Sequence, residues 1–171
     1  MQKKWFTTKR MIFLALMSAL YVALNVLSPE SAVIRISMLC FLPTAVSGML
    51  LGPVGGMTVA VLGDLLSCLV KGYAPYIPLT LIAALSGLWY GFALYGKPFG
   101  WKQALVCIVP VVLVCEMGLN TVALSMLRHQ PLWSVFVQRV WENLIEIPVK
   151  TLLLLAVIPA VKRIPKKYLN V

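Results

Sequence analysis

Apolar residues fill this 171-residue chain in long runs, and polar or helix-breaking residues fall between them. Several runs approach or exceed the roughly 20 residues that a helix needs to cross a hydrocarbon layer. None shows the strict alternation of a half-buried strand. Six segments emerge, over about 11–27, 37–51, 57–70, 77–95, 104–127 and 134–161. The first ends before Ser28-Pro29-Glu30. The second ends at "GPVGG", residues 52–56, which reads as a tight Gly/Pro turn, and the third ends at Lys71-Gly72. Pro75 and Pro78 in "YAPYIP" disfavour helix ahead of the fourth segment, and "GKPFGWK" precedes the fifth. The expected fold is an all-α integral membrane protein with six transmembrane helices in one domain covering 1–171.

Within the first segment, "ALMSALYVA" places Ala15, Ala19 and Ala23 four residues apart. That spacing stacks the three small side chains on one helix face, where another backbone can approach closely. Either a neighbouring helix of this chain or a separate protein could occupy that stripe.

Composition closes off the soluble alternatives. The chain is 61% hydrophobic and 12% charged, with a mean hydropathy of +0.92, too little polar surface for a soluble domain of this length. A net charge of +10 would suit nucleic acid, but its location argues otherwise. Lys3, Lys4, Lys9 and Arg10 precede the first segment, and Lys162, Arg163, Lys166 and Lys167 follow the last. With Lys97 and Lys102, ten Lys and Arg lie on the side of the two termini, against Arg35, Lys71 and Arg128 on the other. The positive-inside rule therefore puts both termini in the cytoplasm, and the flanking charges meet anionic lipid rather than nucleic acid. The N-terminal run lacks a convincing small-residue cleavage site and reads as a retained first helix. Cys40, Cys68, Cys107 and Cys115 form no CxxC pair and read as small packing residues, with no metal expected.

The loops assigned to the outer face, "SPESAVIR", "KGYAPYIP" and "RHQPLW", are irregular and rich in Pro, aromatic and charged residues. Such segments converging on one face are where a small-ligand site is built. Asp64, Glu116, Arg139, Glu142, Glu146 and Lys150 fall inside apolar segments. Each costs roughly 2.5–3.5 kcal/mol at the membrane centre on insertion scales, so each needs a partner or water. In "RVWENLIEIPVK" residues 139, 142, 143, 146 and 150 share one helical face, where Arg139 reaches Glu142 or Asn143 and Glu146 reaches Lys150. Two readings of this face are open: a neutralised polar seam inside the bundle, or a ligand cavity lined by Arg139 and Asn143. Pro148 is expected to kink the helix. Asp64 suits a structural contact better than a ligand contact, and Glu116 could face Asn120 one turn on.

No catalytic arrangement accompanies these groups. The chain lacks GxxxxGK[ST], so it has no P-loop of its own. His129, the one histidine, reads as a surface loop residue, and the serines lack a base. The expectation is a non-enzyme.

Four ordered segments resemble a known family across nearly the whole chain. They are the alanine-rich first helix; "VIRISMLCFLPTAVSGMLLGPVGG"; "LGDLLS" with "YIPLTLIAALSGLWYGFALYGK"; and "LNTVALSML", "QPL" and "QRVWENLIEIPVK". Their order and spacing resemble the S component, the substrate-binding membrane subunit, of energy-coupling factor (ECF) vitamin transporters, and within it the folate family. The resemblance implies an S-component-like six-helix bundle in the prokaryotic plasma membrane that binds one vitamin near its outer face. It also implies partners, namely a transmembrane coupling protein and two cytoplasmic ATPase subunits that use ATP, while this chain carries no cofactor. The alanine stripe would dock on the coupling protein.

Carried over by motif, the substrate-binding candidates are Arg35, Asn120, Thr121 and Arg139; Thr80 and Asn143 join them, with Tyr73, Tyr76 and Trp133 as stacking rings or interfacial anchors. Arginine suits the carboxylates of a folate tail, and asparagine suits a pterin edge. Two departures from the folate pattern lie near the implied ligand. "VKGYAPYIPLT" is shortened and lacks a Gly-Phe-Thr ending, and Glu142, Glu146 and Lys150 add charge to the last segment. Alternatives are an S component for another vitamin or precursor, and a self-sufficient proton-coupled carrier.

Overall fold

The computed structural model describes residues 8–27, 39–72, 74–97 and 100–162. Among these residues all regular structure is helical, with no strand. The elements are α1 (Thr8–Val26), α2 (Phe41–Leu51), α3 (Pro53–Lys71), α4 (Ile77–Leu94), α5 (Trp101–Pro110), a π-helical stretch (Val111–Leu119), α6 (Asn120–Arg128) and α7 (Leu132–Lys162). Four helical stretches are long and apolar enough to cross a membrane: Thr8–Val26, Pro53–Lys71, Ile77–Leu94 and Trp101–Leu127. The shorter α2 is apolar too, and its 11 residues rise only about 16 Å. Helix α7 has 31 residues, roughly 46 Å, and carries the charged face anticipated for the last segment.

The turn expected over 52–56 contracts to one residue. Gly52, at φ 83°, is the break between α2 and α3, a conformation that glycine adopts without a Cβ clash. Pro53 then opens α3, since its fixed φ suits a first turn and its missing N–H needs no partner there. Gly55 and Gly56 lie inside the helix instead of in a loop. Their purpose is proximity: a Cβ on Gly56 would meet the Gly87 carbonyl oxygen at 2.4 Å, and one on Gly48 would meet the Gly91 nitrogen at 2.9 Å. Helices α2, α3 and α4 thus pack with their backbones nearly touching, the small-residue packing available where lipid supplies no hydrophobic drive.

Helix α1 lies at the edge of this group, with only Ser18 buried. It is held against α3 by Tyr21, whose ring occupies the place a Gly63 side chain would take. Near the same end, Lys71 donates to Asn25 Oδ1 at 2.6 Å. The core runs through Phe41, Tyr90, Ile108, Val112, Leu154 and Ile158, joining α2 and α4 to α5, the π-helical stretch and α7. Cys107 and Cys115 belong to that core as small packing residues.

The π-helical stretch was not legible from periodicity. It begins just after Pro110, which has no N–H to give the carbonyl of Val106 four residues back. Trp89 Nε1 from α4 donates to that carbonyl at 3.4 Å, a long bond to an acceptor that the proline leaves open. At the next junction His129 caps α6 in the left-handed region (φ 51°) and is exposed. Ser125 Oγ donates to the Gln130 carbonyl at 2.9 Å, closing the turn before α7. Pro148 causes no break in α7, which continues as helix to Lys162.

Candidate functional site

Charged groups inside the bundle sort into two clusters and one polar pair. Lys150 Nζ lies 2.6 Å from Glu116 Oε1 and 2.8 Å from Glu146 Oε2. The Glu146 contact is the four-residue step that the helical face anticipated. The Glu116 contact is not: Glu116 points to Lys150 across the bundle instead of to Asn120, because the stretch after Pro110 winds with a wider turn and α7 packs against it. The Lys150 side chain is only 4% exposed and its ammonium also lies 5.9 Å from the centre of the Phe41 ring. Closer to the start of α7, Arg139 Nε is 3.9 Å from Glu142 Oε2. Asp64 on α3 accepts a 2.8 Å hydrogen bond from Thr80 Oγ1 in the first turn of α4, a structural link between helices.

A cavity of about 130 Å³ opens beside the lysine. The rings of Tyr21, Phe41 and Tyr90 wall it, Ala60 and Ala83 leave it room, and Glu116 and Lys150 form its charged side. Thr44 and Ser86 add hydroxyls that donate to their own helices, Thr44 to the Cys40 carbonyl at 3.4 Å and Ser86 to that of Ala83 at 2.8 Å. Their oxygens are left as acceptors. Tyr90 is 2% exposed, yet its hydroxyl has no hydrogen-bond partner. A buried hydroxyl left unsatisfied costs about 1–3 kcal/mol, so a fully buried, unpartnered donor at a cavity wall marks a place for a polar ligand group.

The candidates named from sequence that fall among the described residues lie elsewhere. Arg35 and Tyr73 fall outside the described residues. None of the other seven, Tyr76, Thr80, Asn120, Thr121, Trp133, Arg139 and Asn143, lines this cavity. Tyr76 is half-buried just ahead of α4, and Thr80 is engaged with Asp64. Trp133 is 74% exposed and stacks on Phe136 with ring centres 5.9 Å apart. Thr121 and Asn143 are buried on the packed helices α6 and α7, and Thr121 Oγ1 and Asn143 Nδ2 have no hydrogen-bond partner, whereas Asn120 beside them is half-buried. Reading the chain missed Tyr90, Phe41, Thr44 and Ser86. Aromatic and hydroxyl residues are ordinary in apolar helices, and only the charge of Glu116 and Lys150 could have drawn attention here.

Ala15, Ala19 and Ala23 are all exposed on α1. A second cavity, of about 340 Å³, opens beside Ala15 between Arg10, Met11 and Leu14 of α1 and Leu51, Val54 and Leu62 near the α2–α3 junction. Its lining is almost wholly apolar in residue type.

Comparison with known proteins bears on the chain as a whole. The family model described as "ECF transporter, substrate-specific component" matches residues 9–169. The folate transporter FolT of Clostridium novyi (strain NT) is 28% identical over 146 residues, 84% of either chain. FolT of Streptococcus mutans serotype c is 25% identical over 169 residues, covering 92% of this chain and 89% of its own. FolT of Leuconostoc mesenteroides is 27% identical over 150 residues, covering 84% and 80%. A crystal structure of FolT bound with folic acid superposes with a TM-score of 0.76 at 25% identity, covering 85% of this chain and 91% of that one.

Proposed function

The chain belongs to the family of substrate-specific components of ECF transporters, and from that premise we propose that it captures folate for import. It is a multi-pass protein of the prokaryotic cell membrane and not an enzyme. The observation that carries the folate reading is the agreement of 85% of the chain with the fold of a FolT that holds folic acid. Three relatives named as folate transporters support the same substrate.

In this reading the bundle crosses the membrane six times with both termini in the cytoplasm. Four described stretches and the shorter α2 supply five of those passages, and the charged α7 supplies the sixth. Folate enters from the side where α3, α6 and α1 end. Thr121 and Asn143 supply buried polar atoms without partners, and Arg35, Tyr73, Tyr76, Thr80, Asn120, Trp133 and Arg139 complete the candidate contacts.

Energy comes from elsewhere. A transmembrane coupling protein and two ATPase subunits are the proposed partners, with Ala15, Ala19 and Ala23 as the docking face of α1. The exposure of all three alanines beside an apolar cavity supports that assignment. The decisive measurement is a tryptophan-fluorescence titration of the purified chain with a panel of vitamins. Quenching by folates and by no other vitamin is expected; quenching by a different vitamin alone overturns the folate assignment.

A further inference from the structure

Resting on the folate reading, we propose that the cavity beside Lys150 receives the donor edge of the ligand's pterin head, with Glu116 as its acceptor. Lys150 acts as a positioning residue that holds the Glu116 carboxylate, and the glutamate tail lies away from this cavity.

Size comes first. At about 130 Å³ the cavity falls well below the roughly 300–1,000 Å³ of sites that enclose a whole drug-sized ligand. It accommodates one end of a folate, and Phe41 and Tyr90, ring centres 6.1 Å apart and planes tilted by 42°, give it aromatic sides.

Charge selects which end. Glu116 and Glu146 both converge on Lys150, so its ammonium is already shared between two carboxyl groups. A tail carboxylate brought here would meet like charge in a medium that screens it weakly. A donor edge meets the reverse. Glu116 is the more open of the carboxylates, its side chain 23% exposed, and it lines the cavity while accepting from Lys150 at one oxygen. A carboxylate offers about four lone-pair sites, so capacity remains for the paired N–H groups of an aminopyrimidinone.

The hydroxyls agree. Thr44 and Ser86 spend their protons on their own helices and present oxygen, whereas the Tyr90 hydroxyl is buried, unpartnered and able to donate to a ring oxygen or nitrogen. Acceptors along one wall, with the Tyr90 hydroxyl and the remaining Lys150 N–H as donors, match a head with an N–H edge beside a carbonyl.

The test is a fluorescence titration of the purified chain with folic acid, pterin alone and the p-aminobenzoyl-glutamate fragment. Glu116→Gln is expected to weaken folic acid and pterin by roughly tenfold or more and to leave the tail fragment unchanged, with Glu116→Asp recovering part of the loss. Equal affinity of the wild type and E116Q for pterin, or a loss confined to the tail fragment, overturns the assignment. If E116Q does not fold, the wild type decides with a pterin methylated on its 2-amino group and adjacent ring nitrogen: roughly tenfold weaker binding is expected, and equal binding overturns it. A wild type that ignores folic acid but binds pterin through Glu116 overturns the folate reading and keeps the head assignment. Binding of neither overturns both.

Discussion

A Cβ placed on Gly56 of α3 would stand 2.4 Å from the carbonyl oxygen of Gly87 on α4, so the two helices meet backbone to backbone. Substitution with alanine would gain about 0.5–1 kcal/mol of helix propensity, but the clash is with backbone that cannot swing aside. We expect Gly56→Ala and Gly87→Ala to lower stability by about 1–3 kcal/mol, read as a lower thermal midpoint in detergent. Gly118→Ala is the comparison. Its Cβ would meet only the Leu113 carbonyl oxygen, at an ordinary 3.5 Å, so it should be neutral or mildly stabilising.

The Lys150 cluster makes a different prediction. Removing the shared cation by Lys150→Met leaves Glu116 and Glu146 facing one another inside the bundle, a loss expected to cost about 3–5 kcal/mol. The triple variant Lys150→Met, Glu116→Gln, Glu146→Gln carries no charge there and should regain most of that stability while failing to bind pterin. Thermal unfolding checks the first expectation and fluorescence titration the second. A triple variant no more stable than Lys150→Met would contradict the electrostatic account.

Trp89 and Pro110 should act as a coupled pair. Trp89→Phe removes the hydrogen bond to the Val106 carbonyl and is expected to cost about 0.5–1.5 kcal/mol in the wild type. In a Pro110→Ala background the helix supplies its own N–H to that carbonyl, so the same change should cost little. A double-mutant cycle of unfolding free energies measures the difference, and additivity would show that the tryptophan contact is incidental.

For the docking face, Ala15, Ala19 and Ala23 replaced by tryptophan should abolish co-purification with the coupling protein and ATPase subunits. Folate titration of the isolated chain should be unaffected, because the three alanines are exposed and none lines the cavity beside Lys150. Retained association would assign the stripe to lipid contact.

Asp64 and Thr80 offer a last check. Thr80→Val strips the carboxylate of its 2.8 Å hydrogen bond and should destabilise by about 1.5–3 kcal/mol, whereas adding Asp64→Asn removes the charge and should restore part of the loss.

Much of this architecture is readable along the chain. Helix α4 begins at Ile77, where Pro75 and Pro78 set its start, and α1 covers the alanine run as expected. The Glu146–Lys150 and Arg139–Glu142 contacts follow from four- and three-residue steps on one helix. Each of these rests on neighbours in sequence. The π-helical stretch was missed because Pro110 announces a lost hydrogen bond without saying how the helix absorbs it. The turn over 52–56 was overdrawn because glycines that break a chain and glycines that let helices touch look alike in sequence.

Sequence alone determined that this chain lives in a membrane as helices, with its charges at the ends and a few inside the bundle. Those properties belong to single residues and short runs, since the cost of leaving water is set locally. Only the tertiary structure decided that Glu116 would share Lys150, 34 residues away, and that Tyr90 would bring an unpartnered hydroxyl to the same cavity. Such meetings depend on which helix faces are turned together, and backbone contact between Gly56 and Gly87 helps set that geometry.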